Sequence, residues 1–230
     1  MRALIVSHGQ PSDPDPAEAD LAGLAAQVAG LLPGWQVRSA TLAKPGALAA
    51  AVQGGPGLVY PMFMAGGWFT SEELPRRLAA SGGEGWRVLA PFGEDPGVQD
   101  LGVVMAREAA SGLGLSPQGC DALLAAHGSG RSTAPSAAAY QMADKLRRAG
   151  FRRAEAYFIE HEPMIASARG FGAQSLCLPF FAAAGGHVTV DLPRALAKAG
   201  FGGRVLPAVG MDARVPGVIA QALRENSINR

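Results

Sequence analysis

The stretch ALLAAHGS at residues 122–129 repeats the stretch ALIVSHGQ at residues 3–10, with His127 lying 119 positions after His8. Four further landmarks recur in the same order at offsets of 117 or 118: Pro45 with Pro163, Pro61 with Pro179, Pro75 with Pro193, and Gly93 with Gly210. A nearly constant offset over most of the chain indicates an internal duplication. We therefore predict two units, residues 1–117 and 118–230, joined near the turn-rich segment GLGLSPQG.

Within each unit, short apolar runs alternate with longer amphipathic segments. In the second unit, residues 122–126 and 175–181 are predicted strands, whereas residues 136–150 and 215–225 are predicted helices. A shorter helix is predicted at residues 163–169. This alternation is typical of parallel sheets with crossover helices. The predicted fold class is α/β, with two tandem units that each contain a four-stranded parallel sheet and helices on both faces.

The composition is that of an ordinary globular protein, with 48% hydrophobic residues, 17% charged residues and a net charge of +1 over 230 residues. This charge gives no electrostatic argument for binding nucleic acid or an acidic membrane surface. The two cysteines, Cys120 and Cys177, are too far apart for a CxxC metal motif. The apolar run near the start of the chain is too short for a signal peptide, so we expect a cytoplasmic protein.

Each histidine in the sequence lies shortly after a predicted strand. The histidines are His8, His127, His161 and His187. Because ligands of open α/β sheets bind beyond the carboxyl ends of the strands, these positions indicate a functional edge. His127 and His187 follow different strands of one unit and could converge, with carboxylates from Glu160 or Glu162 nearby. Such a group could hold a divalent metal ion transiently or accept protons. Its spacing is also compatible with a hydrolytic zinc site.

Several familiar catalytic motifs do not occur in this sequence. It contains neither GxGxxG nor GxxxxGK[ST], so it offers no recognised phosphate-binding loop. It also lacks the GxSxG motif of serine hydrolases and the HExxH motif of zinc proteases. The histidines therefore carry most of the functional information.

Three segments of the second unit together resemble the sirohydrochlorin chelatase family, the CbiX-like class II chelatases. They are LLAAHGSGR, YFIEHEPMIASA and LCLPFFAAAGGHVTVDLP. Members of this family insert cobalt or ferrous iron into a tetrapyrrole without ATP, in pathways such as those of sirohaem and cobalamin, and long members contain two units. The resemblance implies that His127 and His187 are catalytic metal ligands and that Glu162 assists catalysis. It implies two units facing each other across a tetrapyrrole cleft, a monomeric chain, and Co²⁺ or Fe²⁺ as substrate, with no permanently bound cofactor.

The first unit departs from this family pattern. Trp68 is predicted to stand where the second histidine is expected, and Lys44 where the second unit has Glu162. We therefore predict that the first unit has lost its metal chemistry and contributes only to substrate binding. The residues predicted to contact a tetrapyrrole substrate come from both units: His8, Trp68, Ser129, Arg131, Gly185 and Gly186.

Two other functions remain open from the sequence. A non-catalytic carrier of tetrapyrrole or metal would explain why the first unit has lost residues of the family pattern. A metal-dependent hydrolase would use the same histidines to activate water.

Overall fold

The computed structural model describes residues 1–129 and 133–228 and contains two parallel sheets of four strands each. The strands of the first sheet are Arg2–Ser7 (β1), Gln36–Thr41 (β2), Leu58–Pro61 (β3) and Arg87–Val88 (β4). Those of the second sheet are Asp121–Ala126 (β5), Arg153–Phe158 (β6), Ser175–Pro179 (β7) and Arg204–Val205 (β8). The spatial orders, β2-β1-β3-β4 and β6-β5-β7-β8, are equivalent. The predicted fold class is confirmed.

The α-helices surround these sheets. They are Pro14–Gly30 (α1), Ala47–Ala51 (α2), Leu74–Ala80 (α3), Pro96–Gly112 (α4), Ala134–Arg148 (α5), Leu192–Ala199 (α6) and Val215–Ile228 (α7). The predicted short helix at residues 163–169 is wrong, because only a single 3₁₀ turn forms there, at Ile165–Ser167. Among the described helices, none combines the length and apolar character needed to cross a membrane.

Burial explains why the central and edge strands differ in sequence. All six residues of β5 are buried, which explains its uninterrupted run of apolar and small residues after Asp121. In β6, at the sheet edge, buried residues alternate with partly exposed ones. This alternation follows from the two-residue repeat of a strand that packs on one face only.

The compact units do not follow the predicted boundary between residues 117 and 118. The first compact unit comprises residues 1–95 together with 213–230, and the second comprises residues 96–212. From here on, first unit and second unit refer to these compact units. Helix α7 packs against β3 and α1, whereas α4 packs against β7 and α5. The last helix of each half of the sequence, α4 or α7, thus packs with the sheet formed by the other half. The two sheets follow the duplication of the sequence. Helix α7 was predicted in the second unit but belongs to the first.

In the second unit, helices cover both faces of the sheet. On one face, Leu192 and Leu196 of α6 join the buried cluster that contains Leu123 and Cys177. On the other face, Gly102 of α4 lies so close to the side chain of Met142 that a Cβ would approach it to 2.8 Å. This packing fixes the strand ends from which the site residues project.

A buried hydrogen bond in the first unit provides a test of the fold. The hydroxyl of Tyr60, on β3, donates to Oδ2 of Asp95 over 2.7 Å, and both side chains are buried. Burial and the neighbouring carboxylate raise the pKa of Tyr60 above its usual range. Removal of the donor leaves a buried carboxylate with one fewer partner. We expect Tyr60→Phe to lower the free energy of unfolding by about 1–3 kcal/mol, measured by urea denaturation.

The matched control is Tyr140→Phe, since Tyr140 is 44% exposed. Its loss of a hydroxyl is expected to leave the urea midpoint unchanged. Equal midpoints for Tyr60→Phe and the unmodified protein would contradict the assigned role of the buried pair.

Candidate metal centre

The first imidazole of the site is fixed by a glycine turn at the end of β5. Gly128 has φ +74°, and a Cβ at this position would lie 2.6 Å from Nδ1 of His161. Only glycine therefore fits both the backbone conformation and the space. The turn brings the carbonyl of Gly128 to 2.8 Å from Nδ1 of His127. Because a carbonyl only accepts hydrogen bonds, Nδ1 carries the proton and Nε2 presents its lone pair.

A carboxylate reaches the same place from the neighbouring strand. Beyond the last residue of β6, the backbone N–H of Ile159 donates to Ala126 and that of Glu160 donates to His127. These bonds continue the pairing of β5 with β6 beyond the last residues of the two strands, so Glu160 is held beside His127. Its Oε1 lies 3.6 Å from Nε2 of His127.

The second imidazole comes from a π-helical turn, His187–Asp191, that follows β7 and leads directly into α6. Nδ1 of His187 donates to Oδ2 of Asp191 over 2.8 Å. Its Nε2 faces Nε2 of His127 at a distance of 3.0 Å, with the two rings perpendicular. Since both Nδ1 atoms donate to oxygen acceptors, both Nε2 lone pairs point into the same space.

Two opposed lone pairs at this distance require a cation or a proton between them. Two nitrogen ligands about 2.1 Å from one metal ion, at roughly a right angle, lie about 3.0 Å apart. The observed separation of 3.0 Å between the two Nε2 atoms matches this geometry. Ligand atoms of His127, Glu160 and His187 all lie within 4.8 Å of one another, the one such group found in the described part of the chain. Two imidazoles and a carboxylate suit a divalent transition metal.

The three side chains are accessible to solvent. The exposed fractions are 37% for His127, 50% for Glu160 and 45% for His187. A site with three protein ligands and open access leaves coordination positions free for an incoming molecule. The geometry therefore suits exchange of a metal ion rather than permanent structural binding.

Comparison with solved structures shows the family to which this site belongs. The structure of CbiX, described as the terminal enzyme for siroheme biosynthesis in denitrifying bacteria, is 48% identical in sequence, with a TM-score of 0.91. The match covers 98% of this chain and 99% of that CbiX. The chain belongs to the CbiX family. The CbiX family model matches residues 121–226, a range that contains all three potential ligands. The comparison with curated proteins gave no match.

More distant structures share the fold of this CbiX-family chain. DR2241 from Deinococcus radiodurans, a multi-domain protein with structural similarity to chelatases, is 24% identical with a TM-score of 0.74. That match covers 97% of this chain and 54% of DR2241. SirB from Bacillus subtilis, solved with Fe³⁺, is 15% identical with a TM-score of 0.74, covering 100% of this chain and 97% of SirB.

The predicted site residues of the second unit fall into different places. His127 and His187 come together as expected, but Glu162 is exposed and lies outside the ligand group. Its Oε2 accepts a hydrogen bond from the backbone N–H of Met164 over 3.0 Å. Of the two carboxylates that the sequence offered, Glu160 is the one beside the imidazoles. The catalytic role of Glu162 in this CbiX-family chain stays a prediction.

The predicted substrate-binding residues of the second unit lie next to the two histidines in the sequence, after His127 and before His187. Ser129 is half-buried, directly after Gly128, while Arg131 lies outside the described residues. Gly185 and Gly186 are exposed, and a Cβ on either would meet no protein atom within 4 Å. Neither glycine is therefore required by packing within its own unit.

The first unit contains the equivalent histidine but a different partner. The ring of His8 lies 5.0 Å from that of Phe69, and Phe69 begins a π-helical turn, Phe69–Glu73, that matches His187–Asp191 at the constant offset of 118. Phe69, not Trp68, thus occupies the place of the second histidine, and the prediction for Trp68 was off by one residue. Trp68 is 68% exposed, so it does not pack in the core. Its contact with substrate stays a prediction, as does that of His8.

The carboxylate ligand is also missing from the first unit. Counted from the strand ends at Thr41 and Phe158, Ala43 stands where the second unit has Glu160. Lys44 forms an ion pair with Asp15 at 3.1 Å. The first unit therefore keeps one imidazole of the three-ligand group, and its loss of metal chemistry stays a prediction.

Asp191 is the residue of the site that sequence reasoning missed. It lies four positions after His187, a spacing that places two side chains on the same side of a helical turn. That spacing, in a segment already expected to begin a helix, was the available signal.

Proposed function

We propose that this chain is a chelatase that inserts a divalent metal ion, Co²⁺ or Fe²⁺, into sirohydrochlorin or a related tetrapyrrole. The observation that carries the proposal is the pair of Nε2 atoms 3.0 Å apart on His127 and His187. The 48% identity to CbiX over nearly the whole chain supports the same reaction. No nucleotide and no permanently bound cofactor are required, and the duplicated chain acts as a monomer.

The reaction exchanges two N–H bonds of the macrocycle for bonds to the metal and releases two protons. His127 and His187 hold the incoming ion at one face of the tetrapyrrole through their Nε2 atoms. When the ion passes to the pyrrole nitrogens, these Nε2 atoms become free to accept the released protons. The carboxylate of Glu160, 3.6 Å from His127, stabilises the resulting imidazolium and provides an exit for the proton.

A non-catalytic carrier of tetrapyrrole or metal is the alternative. The replacement of a ligand by Phe69 in the first unit is the observation that favours it. The second unit, however, keeps two imidazoles and a carboxylate, all accessible to solvent. A carrier of tetrapyrrole has no need of this open three-ligand group, and a carrier of metal alone would not account for the 48% identity to CbiX over nearly the whole chain, so we favour the enzyme.

Anaerobic absorption spectroscopy of sirohydrochlorin mixed with Co²⁺ or Fe²⁺ tests the proposal. We expect the protein to accelerate the spectral change of metal insertion with at least one of the two metals. The ratio of kcat/KM values for the two ions then gives the preferred metal. Binding of sirohydrochlorin without any acceleration would contradict the chelatase and support the carrier.

The two carboxylates of the FIEHEP segment can be separated by matched substitutions. We expect Glu160→Gln to lower kcat by about 100-fold, because a side chain that cannot accept a proton then faces the imidazoles. Glu162→Gln is expected to have the smaller effect, since that carboxylate lies outside the ligand group. Initial rates of sirohydrochlorin metallation at saturating metal provide the measurement. A larger loss in Glu162→Gln would instead support the role implied by the family resemblance.

A further inference from the structure

Asp191 makes a specific contact with one ligand of the metal centre. It is the last residue of the π-helical turn that begins at His187, and its Oδ2 lies 2.8 Å from Nδ1 of that histidine. Insertions of this kind into helices often occur at functional sites. Here the turn brings the carboxylate back onto the imidazole four residues earlier.

The hydrogen bond determines which nitrogen of His187 can bind a metal. An ionised carboxylate only accepts hydrogen bonds, so Nδ1 carries the proton and Nε2 carries the lone pair. The ring is 45% exposed, so packing restrains it only in part. Asp191 restrains the ring so that Nε2 stays opposite Nε2 of His127.

The first unit provides an internal comparison, because an acid stands at the same place in its π-helical turn. Glu73 is 118 positions before Asp191. The residue equivalent to His187 is Phe69, whose ring has no nitrogen that could donate a hydrogen bond. Glu73 instead accepts hydrogen bonds from Nε of Arg76 over 2.8 Å and from Nε of Arg77 over 2.6 Å. These two arginines hold the pKa of Glu73 at about 2.

The sequence of the second unit leaves its acid available to the histidine. Ala195 stands where the first unit has Arg77, so one of the two arginines that engage Glu73 has no counterpart. Among the described residues, His187 is the side chain that donates a hydrogen bond to the carboxylate of Asp191. The acid thus pairs with the imidazole in the unit that keeps the ligand group, and with arginines in the unit that has lost it.

We propose that Asp191 is a positioning residue for metal delivery, which holds His187 with Nε2 directed at the ion. The proposal rests on the proposed function for its catalytic consequence but not for its effect on metal binding. Hydrogen-bond partners that orient metal-binding histidines typically change metal affinity by about 10- to 100-fold when removed.

The test compares Asp191→Ala, Asp191→Asn and the control Glu73→Ala, which removes the equivalent acid of the first unit. Calorimetry with Co²⁺ alone gives the dissociation constant, and the visible spectrum of bound Co²⁺ gives the ligand geometry. We expect Asp191→Ala to weaken Co²⁺ binding by about 10- to 100-fold and to change this spectrum. Asp191→Asn keeps an oxygen acceptor for Nδ1 and is expected to restore most of the affinity. Glu73→Ala is expected to leave both readouts unchanged.

In the insertion assay, Asp191→Ala is expected to raise the KM for Co²⁺ more than it lowers kcat. Circular dichroism identifies any variant that fails to fold. If Asp191→Ala does not fold, Asp191→Asn carries the comparison: its neutral amide oxygen is a weaker acceptor, so we expect most of the Co²⁺ affinity to remain but the spectrum of bound Co²⁺ to change, and an unchanged spectrum would overturn the proposal. Unchanged Co²⁺ affinity and spectrum in folded Asp191→Ala would overturn the proposal. Equal losses in Asp191→Ala and Glu73→Ala would also overturn it, because they would indicate a general effect of the turn. Failure of the unmodified protein to metallate sirohydrochlorin would overturn the proposed function alone.

Discussion

Replacement of His187 by alanine is expected to lower the rate of metal insertion by at least about 100-fold, because the ion then loses one of its two imidazole ligands. Nε2 of His127 and the carboxylate of Glu160 then remain, and they cannot replace the pair of imidazole nitrogens that lie 3.0 Å apart in the intact site. Anaerobic initial rates with sirohydrochlorin and Co²⁺ provide the measurement. Calorimetry with Co²⁺ alone should show a parallel loss of affinity.

Phe69→Leu is the matched control, since Phe69 occupies the equivalent place in the first unit. Its ring contacts His8 and Phe63, in a group that lacks the second imidazole. We expect this variant to keep most of the insertion rate and the Co²⁺ affinity. Comparable losses in Phe69→Leu and His187→Ala would show that the metal chemistry does not reside in the second unit alone.

Gly128→Ala is expected to destabilise the protein by about 1–3 kcal/mol, because alanine is strained at positive φ. Its Cβ would also lie 2.6 Å from Nδ1 of His161 and 3.0 Å from Cβ of Phe158. Relief of these contacts must move the turn that fixes His127. We therefore expect lower metal affinity together with a lower melting temperature.

Gly185→Ala is the stability control, because a Cβ there meets no protein atom within 4 Å. Its melting temperature is expected to equal that of the unmodified protein. If Gly128→Ala also melts at that temperature, the result would contradict the strain that we expect for alanine in the left-handed turn at the end of β5.

Much of the fold followed from the sequence because duplication and strand burial leave strong patterns. The constant offset between equivalent prolines predicted two sheets of the same topology. The buried runs that precede His127 and His187 predicted that both would lie at one sheet edge, where the structure brings them together. A carboxyl edge shared by parallel strands makes such convergence a direct consequence of topology.

The partner of α7 could not be predicted. Its amphipathic pattern shows that one face is buried but contains no information about which sheet covers that face. The structure packs α7 on β3 and α1, so the compact unit crosses the sequence boundary. The strands, in contrast, pair within their own half.

The finer features of the site depend on loop geometry that no periodic pattern encodes. Glu160 and Glu162 are both plausible by spacing, and the backbone bond from Glu160 to His127 decides between them. The prediction for Trp68 was off by one residue because the glycine pairs Gly66-Gly67 and Gly185-Gly186 are 119 positions apart, whereas the turns that follow them are 118 apart. The π-helical turns show the correct match, Phe69 with His187.

The most direct test of the account is a single-turnover experiment with protein loaded with Co²⁺ and mixed anaerobically with sirohydrochlorin. A His127→Ala/His187→Ala double variant, incubated with the same total Co²⁺, serves as the comparison. The account predicts rapid formation of the metallated spectrum with the intact protein and no acceleration over free Co²⁺ with the double variant. Equal rates for the two proteins would contradict the claim that this histidine pair delivers the metal.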